Sequence, residues 1–245
     1  MFDLTGKKAF VTGSTGSIGY SVAKILYDRG ATVGLHGSRQ DKLEKLCSEF
    51  GDRIKAFPAD LSDRDAVKEL GKKVELEMGG VDILINNAGI TRDGLFLRMQ
   101  DEDWDTVLDV NLTSIFILTR QLIHSMLRRR YGRIVNITSV VTVTGNYGQV
   151  NYCSSKAAIV GFSKALAQEV ARRDVTVNCV APGFVQSNMT EKLNEKQKER
   201  IISNIPMNRI ATADEIASAV LYLSSLESSY ITGQTIHVNG GMAMV

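Results

Sequence analysis

A single α/β domain built on a doubly wound parallel sheet of about seven strands, with helices on both faces, is what this sequence predicts. Three observations lead there. Short apolar runs alternate with amphipathic helical patterns from the first residues to the last, and that alternation builds parallel sheets buried on both faces. The first run, Lys8-Ala9-Phe10-Val11, passes directly into Thr12-Gly13-Ser14-Thr15-Gly16-Ser17-Ile18-Gly19 and then a helical pattern with Val22, Ile25 and Leu26 on one side. No linker, repeat or low-complexity stretch divides the 245 residues, so residues 1–245 are expected to form one domain.

Composition narrows the function classes. A formal charge of +2 is too small to argue for nucleic acid or an acidic membrane surface. No run of consecutive apolar residues approaches the ~18 of a membrane span, and the first residues lack the basic and apolar regions of a signal peptide. Cys47, Cys153 and Cys179 are odd in number and unpaired in spacing, which suits a reducing cytosol; a cytoplasmic location is expected. His36, His124 and His237 stand far apart without partners at metal spacing and read as structural or surface residues, so no metal is expected.

Taken in order, the elements carry their own signals. A strand, a glycine turn and a helix in succession form a nucleotide-binding opening: glycines let the backbone turn tightly toward a pyrophosphate, and free amides at the helix start face the anion. Ala31 to His36 reads as the second strand, followed by Gly37-Ser38-Arg39 with no carboxylate before Asp41. A carboxylate at that strand end selects NAD through the ribose 2′-hydroxyl, whereas a basic residue suits the 2′-phosphate of NADP. Arg39 offers a permanently charged fork and Ser38 a hydroxyl, which favours NADP(H); the competing reading of Arg39 is a solvated loop arginine. Ile54 to Leu61 reads as a third strand ending beside the adenine at Asp60 and Leu61, with Ser62-Asp63 capping the next helix. Val81 to Ile85 is a buried strand running into Asn86-Asn87-Ala88-Gly89.

A long helical segment then places Leu108, Leu112, Ile115, Leu122 and Met126 at core spacing. Asn111 interrupts it with a poor helix former, as either an exposed position or a functional one. Arg133 to Ser139 is the fifth strand, with Ser139 at the carboxyl edge where open parallel sheets bind ligands. A helix from about Tyr152 buries Ile159, Phe162, Leu166 and Val170; a sixth strand spans Val175 to Val180, and Pro182-Gly183 breaks into a loop. A variable helical region follows from about Thr190 to Ser203, then a helix from Asp214 to Leu226 and a last strand over Thr235 to Val238.

Tyr152 and Lys156 lie one helical turn apart on one face. A free phenol titrates near ~10, too high for efficient proton exchange at neutral pH. A neighbouring ammonium is expected to pull that value down, so the pair can exchange a proton with an alcohol or carbonyl oxygen. By itself the spacing also suits an exposed pair on an ordinary helix.

Together these pieces resemble the short-chain dehydrogenase/reductase family: Thr12-Gly13 to Gly19, Asp60-Leu61, Asn86-Asn87-Ala88-Gly89, Asn111, Ser139, Tyr152 with Lys156, and Pro182-Gly183. Finer stretches, among them Ile90 to Met99, Gly145 to Tyr152, Pro182 to Val185 and Ile231 to Met242, are similar to the 3-oxoacyl-[acyl-carrier-protein] reductases of type II fatty-acid synthesis. The resemblance implies a Rossmann-type fold, with a cofactor half over about residues 1–90 and a catalytic and substrate half over about 91–245. Tyr152 is the implied proton donor, Lys156 its partner at the nicotinamide ribose, Ser139 the carbonyl holder and Asn111 the anchor of a proton relay. The glycine turn, Ser38, Arg39, Asp60, Leu61, Asn87, Ala88, Gly89, Pro182, Gly183 and Val185 are the implied NADP(H) contacts. Implied partners are a 3-oxoacyl chain on an acidic carrier protein, docked by Arg128-Arg129-Arg130 or Arg172-Arg173, and further copies of the chain in a homotetramer.

Two features depart from the family pattern. Ser17 stands where the turn's middle glycine belongs, so that either the turn closes differently or Ser17 takes an awkward backbone angle. Gly16 stands where many NADP-using relatives carry a basic residue, which leaves Arg39 as the main phosphate partner. The rival readings are a short-chain reductase for a sugar, steroid or free alcohol, a catalytically idle NADP-sensing module, and a methyltransferase on a related sheet.

Overall fold

The structure is a computed structural model that describes residues 1–186 and 194–245. One all-parallel sheet of seven strands runs in the order β3-β2-β1-β4-β5-β6-β7. Its strands are β1 (Lys8–Val11), β2 (Thr32–Gly37), β3 (Ile54–Pro58), β4 (Ile83–Asn86), β5 (Gly132–Ile137), β6 (Val175–Pro182) and β7 (Thr235–Val238). The order reverses between β1 and β4, and such a switch point opens a crevice at the carboxyl ends of the strands.

Side-chain alternation divides the core in two. Val11, Leu35, Ile83, Ile85 and Val135 face the side covered by helix α1 (Ser17–Asp28), helix α2 (Gln40–Cys47) and a late helix, Ala213–Ser224. Phe10, Phe57, Leu84, Ile134 and Val177 face helix α3 (Arg64–Met78) and the helices that follow β4. Phe10 and Phe57 meet edge to face there, 5.6 Å between ring centroids.

The third strand stops at Pro58 rather than Leu61. Its neighbour β2 ends at Gly37 opposite Pro58, and Asp60 turns the chain by accepting from Ser62 N at 2.9 Å and Ser62 Oγ at 2.7 Å. The strand carrying Ser139 likewise ends at Ile137, yet Thr138 N still donates to Val180 O and Val140 N to Pro182 O, both at 2.8 Å. Ser139 is therefore held just beyond the sheet's rim.

Sequence periodicity predicts one regular helix after β4. The structure has α4 (Asp101–Leu108), a π-turn over Asp109–Thr113, and α5 (Ser114–Arg129). By length and composition Asp101–Arg129 could cross a membrane, but 56% of its most apolar window is buried inside the fold. Beyond β5 come the short α6 (Val141–Thr144) and α7 (Val150–Val170), which starts two residues before Tyr152. Of the helical region expected at about Thr190 to Ser203, residues 190–193 lie outside the described residues, and α8 (Glu195–Ile202) forms the remainder. The late helix α9 (Ala213–Ser224) opens with a capping box between Thr212 and Glu215.

Candidate active site

A cleft of about 960 Å³ opens along the switch point. Every predicted site residue lines it except Ser14, Arg39 and Asn111.

The glycine turn shows why its sequence is constrained. Gly13 has φ +66°, and a Cβ there would meet Ala88 Cα at 2.9 Å. At Gly19 an added Cβ would fall 2.2 Å from Gly13 O, so the first turn of α1 packs on bare backbone. Ser17 needs no awkward angle: it is the first residue of α1, behind an extended Gly16 (φ −91°), and only Gly13 in the turn has positive φ. No side chain caps α1. The first amides of a helix have no intrahelical acceptor, and Ser17, Ile18 and Gly19 line the cleft, so the arrangement suits an anion.

Several predicted contacts turn out to hold the frame. Asn87 Nδ2 donates to Thr12 O at 2.9 Å and Gly13 O at 3.1 Å, while the amides of Asn87 and Ala88 both reach Thr12 Oγ1 at 3.0 Å. Ser14 is fully buried, with its hydroxyl donating to His36 O at 2.9 Å, so its side chain faces the sheet instead of the cleft. Arg39 is exposed and lies 3.9 Å from Asp41, with Ser38 lining the cleft beside it.

On the other side, α7 brings Tyr152 and Lys156 under the rim of β5. Lys156 is 3% exposed, and its Nζ donates to Ile137 O at 2.8 Å. Burial pulls its pKa down from 10.5 to about 8. The expectation that this ammonium lowers the phenol is not met. Burial pushes the Tyr152 pKa up, and the hydrogen bond from Ser139 is the influence that lowers it. The reason is placement: Lys156 is committed to a carbonyl and sits 5.8 Å from the Tyr152 ring centroid.

Asn111 owes its position to the π-turn. Its Oδ1 accepts from Ile90 N at 2.8 Å, and its Nδ2 donates to Ile90 O at 3.0 Å and Ser155 Oγ at 3.1 Å. A Cβ on Gly89 would stand 3.3 Å from both Asn111 Oδ1 and Lys156 Nζ, so these polar groups share one small space beneath the cleft floor.

Sequence reasoning missed Asn151 and His36. Asn151 is fully buried; its Oδ1 accepts from Tyr152 N at 2.8 Å and its Nδ2 donates to Arg92 O at 2.9 Å, tying the catalytic helix to the loop after β4. A lone Asn before the Tyr gave no periodic signal. His36 lines the cleft and bonds the glycine turn, which its place at a strand's carboxyl end could have suggested. The arginine stretches do converge, Arg130 donating to Arg172 O at 2.9 Å. They precede the first residues of β5 and β6, which pair as Gly132 with Val175, so they lie at the sheet edge opposite the cleft.

A family described as enoyl-(acyl carrier protein) reductase matches residues 13–243. Over 245 residues the chain is 65% identical to Nodulation protein G of Rhizobium sp. (strain N33), with 100% of each covered. The chain belongs to the short-chain dehydrogenase/reductase family. It is also 49% identical, again over 100% of both chains, to the 3-oxoacyl-[acyl-carrier-protein] reductase FabG of Rickettsia conorii (strain ATCC VR-613 / Malish 7). A crystal structure of a proposed gluconate dehydrogenase from Agrobacterium tumefaciens matches with a TM-score of 0.95 at 31% identity, covering 100% of this chain and 98% of that one.

Short-chain dehydrogenases and reductases use a nicotinamide cofactor, and the residues present fit one. The uncapped start of α1 suits the pyrophosphate. Lys156 donates one hydrogen bond within the protein, leaving donors of a buried ammonium for a ribose hydroxyl.

Proposed function

We propose that the chain reduces 3-oxoacyl groups carried on acyl carrier protein to 3-hydroxyacyl groups with NADPH, in the cytoplasm, as a step of type II fatty-acid synthesis. The observation that carries this reading is the convergence of Ser139, Tyr152 and buried Lys156 on one cleft at the carboxyl rim of β5. Residues of about 1–90 bind the cofactor and about 91–245 supply the chemistry, with Tyr152, Lys156 and Pro182 to Val185 serving both.

When bound, the reduced nicotinamide supplies a hydride to the keto carbon. Ser139 Oγ and Tyr152 Oη hold the keto oxygen, and stabilisation there grows as negative charge develops. Tyr152 Oη gives that oxygen its proton, drawn by the negative charge that develops there from a phenol that burial keeps protonated. Lys156, charged below about pH 8, holds the ribose. Asn111 anchors the path that returns a proton to Tyr152. Neither Ser139 nor Tyr152 requires a metal for this task.

NADPH is favoured by Ser38 and Arg39 at the end of β2, with Arg39 able to leave the exposed Asp41 for a phosphate. Arg92 is the exposed cation among the cleft's lining residues, whereas the arginine corner serves a carrier protein only from the far edge of the sheet. The test is NADPH oxidation with a carrier-bound 3-oxoacyl substrate, run beside NADH. Rapid, NADPH-selective oxidation supports the reading. The likeness to a proposed gluconate dehydrogenase gives the second reading its support, so sugar acids belong in the same panel. Turnover of those alone would replace the acyl assignment.

A further inference from the structure

We propose that His36 is a positioning residue for the cofactor, one whose imidazole sets the shape of the glycine turn. The ring is 3% exposed and sits at the carboxyl end of β2, where it borders the cleft. Its Nδ1 accepts from Gly13 N at 3.1 Å, and its Nε2 lies 3.2 Å from Ala59 O. Those roles require the neutral ring with the proton on Nε2, which then donates to Ala59. The backbone of the same residue accepts from Ser14 N at 2.8 Å and Ser14 Oγ at 2.9 Å.

One residue therefore closes the cofactor crevice from two sides. It ties the turn after β1, whose job is the pyrophosphate, to the loop after β3, where Asp60 and Leu61 line the adenine end. It also determines which amides are free. With Gly13 N–H turned inward to the imidazole, the ligand-facing donors are those at the start of α1. Losing the acceptor at Nδ1 leaves the partly buried amide of Gly13, a residue at φ +66°, without its protein partner, and the turn relaxes toward another shape to satisfy it. His36 touches none of the reacting groups, so its effect falls on affinity and not on the chemical step.

The proposal rests on the family's nicotinamide cofactor and is independent of the acyl substrate. The experiment is fluorescence titration of NADPH and of NADH into wild type, His36→Leu, His36→Gln and His36→Asn, with KM and kcat measured for any variant that turns over substrate. Leu removes both ring contacts. Gln keeps a donor near Nε2 but lacks the Nδ1 acceptor, and Asn keeps an acceptor near Nδ1. Leu and Gln are expected to raise the dissociation constant about tenfold, the worth of one hydrogen bond. Asn is expected to stay within about threefold of wild type, with kcat at saturating cofactor unchanged within about twofold for all three. Should Leu fail to fold, the contrast between Gln and Asn decides the matter. Equal affinity for Gln and wild type, failure of Asn to rescue, or a fall in kcat without a change in affinity would each overturn the assignment.

Discussion

An ammonium that is 3% exposed and satisfied by one carbonyl costs the folded chain free energy, and Lys156 is such a group. Its pKa falls from 10.5 to about 8, so between those values the unfolded chain binds more protons and stability rises with pH. At neutral pH Lys156→Met is expected to stabilise the fold by about 3 kcal/mol at most while abolishing turnover; paired thermal melts and rate measurements check both halves. Tyr152→Phe keeps the ring's packing and removes the proton, which predicts a loss on the order of 10²–10⁴-fold in turnover with cofactor affinity retained. Wild-type turnover in that variant would end the acid assignment.

His36 gives a second stability signature. Burial lowers its pKa from 6.5 to about 4, against smaller opposing effects from the Ala59 carbonyl and the Asp60 charge. Below about pH 6.5 the unfolded chain takes up a proton that the folded chain refuses, so stability is full above that value and declines as pH falls toward about 4. The expected decline between pH 7 and pH 4.5 is about 2 kcal/mol, read from urea unfolding at the two pH values for wild type and for His36→Asn. Similar slopes for the two would show that another group titrates.

For the elements, caps and turns decide more than propensity. Asp63 accepts from Asp65 N at 2.8 Å and Ala66 N at 3.1 Å and so caps α3. Asp63→Ala should cost about 1 kcal/mol, read as a lower urea midpoint, because two amides at the start of α3 lose their acceptor. Gly19→Ala should abolish cofactor binding, since its Cβ would meet Gly13 O at 2.2 Å; calorimetric titration checks this. Strands and helices were legible in the sequence because burial on both faces leaves long apolar runs, Ser139 because it follows such a run, and Tyr152 with Lys156 because their spacing is local. The π-turn was not, for one inserted residue shifts the pattern by less than scatter in burial hides. The direction of the Tyr152 shift also escaped, because it depends on how deeply the ring lies rather than on which residue stands four places on.

For the molecule as a whole, the sheet has open outer strands at β3 and β7, and the outer surfaces of α5 and α7 expose Phe116, Ala157, Ala158 and Gly161. Small and apolar residues on neighbouring helices suit close packing against a second copy, which supports the proposed homotetramer. Light scattering should give four times the 26.8 kDa chain mass, and Ala158→Arg should reduce it; a monomeric wild type at micromolar concentration would remove that proposal. The position of the arginine corner, far from the cleft, could not be read from linear sequence. Which edge of a sheet a loop occupies follows only once strand direction is known.

Asp109–Thr113 has a consequence for how variants of this chain should be compared. Restoring ordinary winding there with all five residues kept would leave composition untouched, yet would rotate everything downstream by about 100° about the helix axis. The face that α5 shows to α3 would turn partly toward solvent, whereas losing the one extra residue together with the wide turn would leave that face in place, so a single-residue alignment gap at this spot marks the loss of the π-turn and of the Asn111 position it creates.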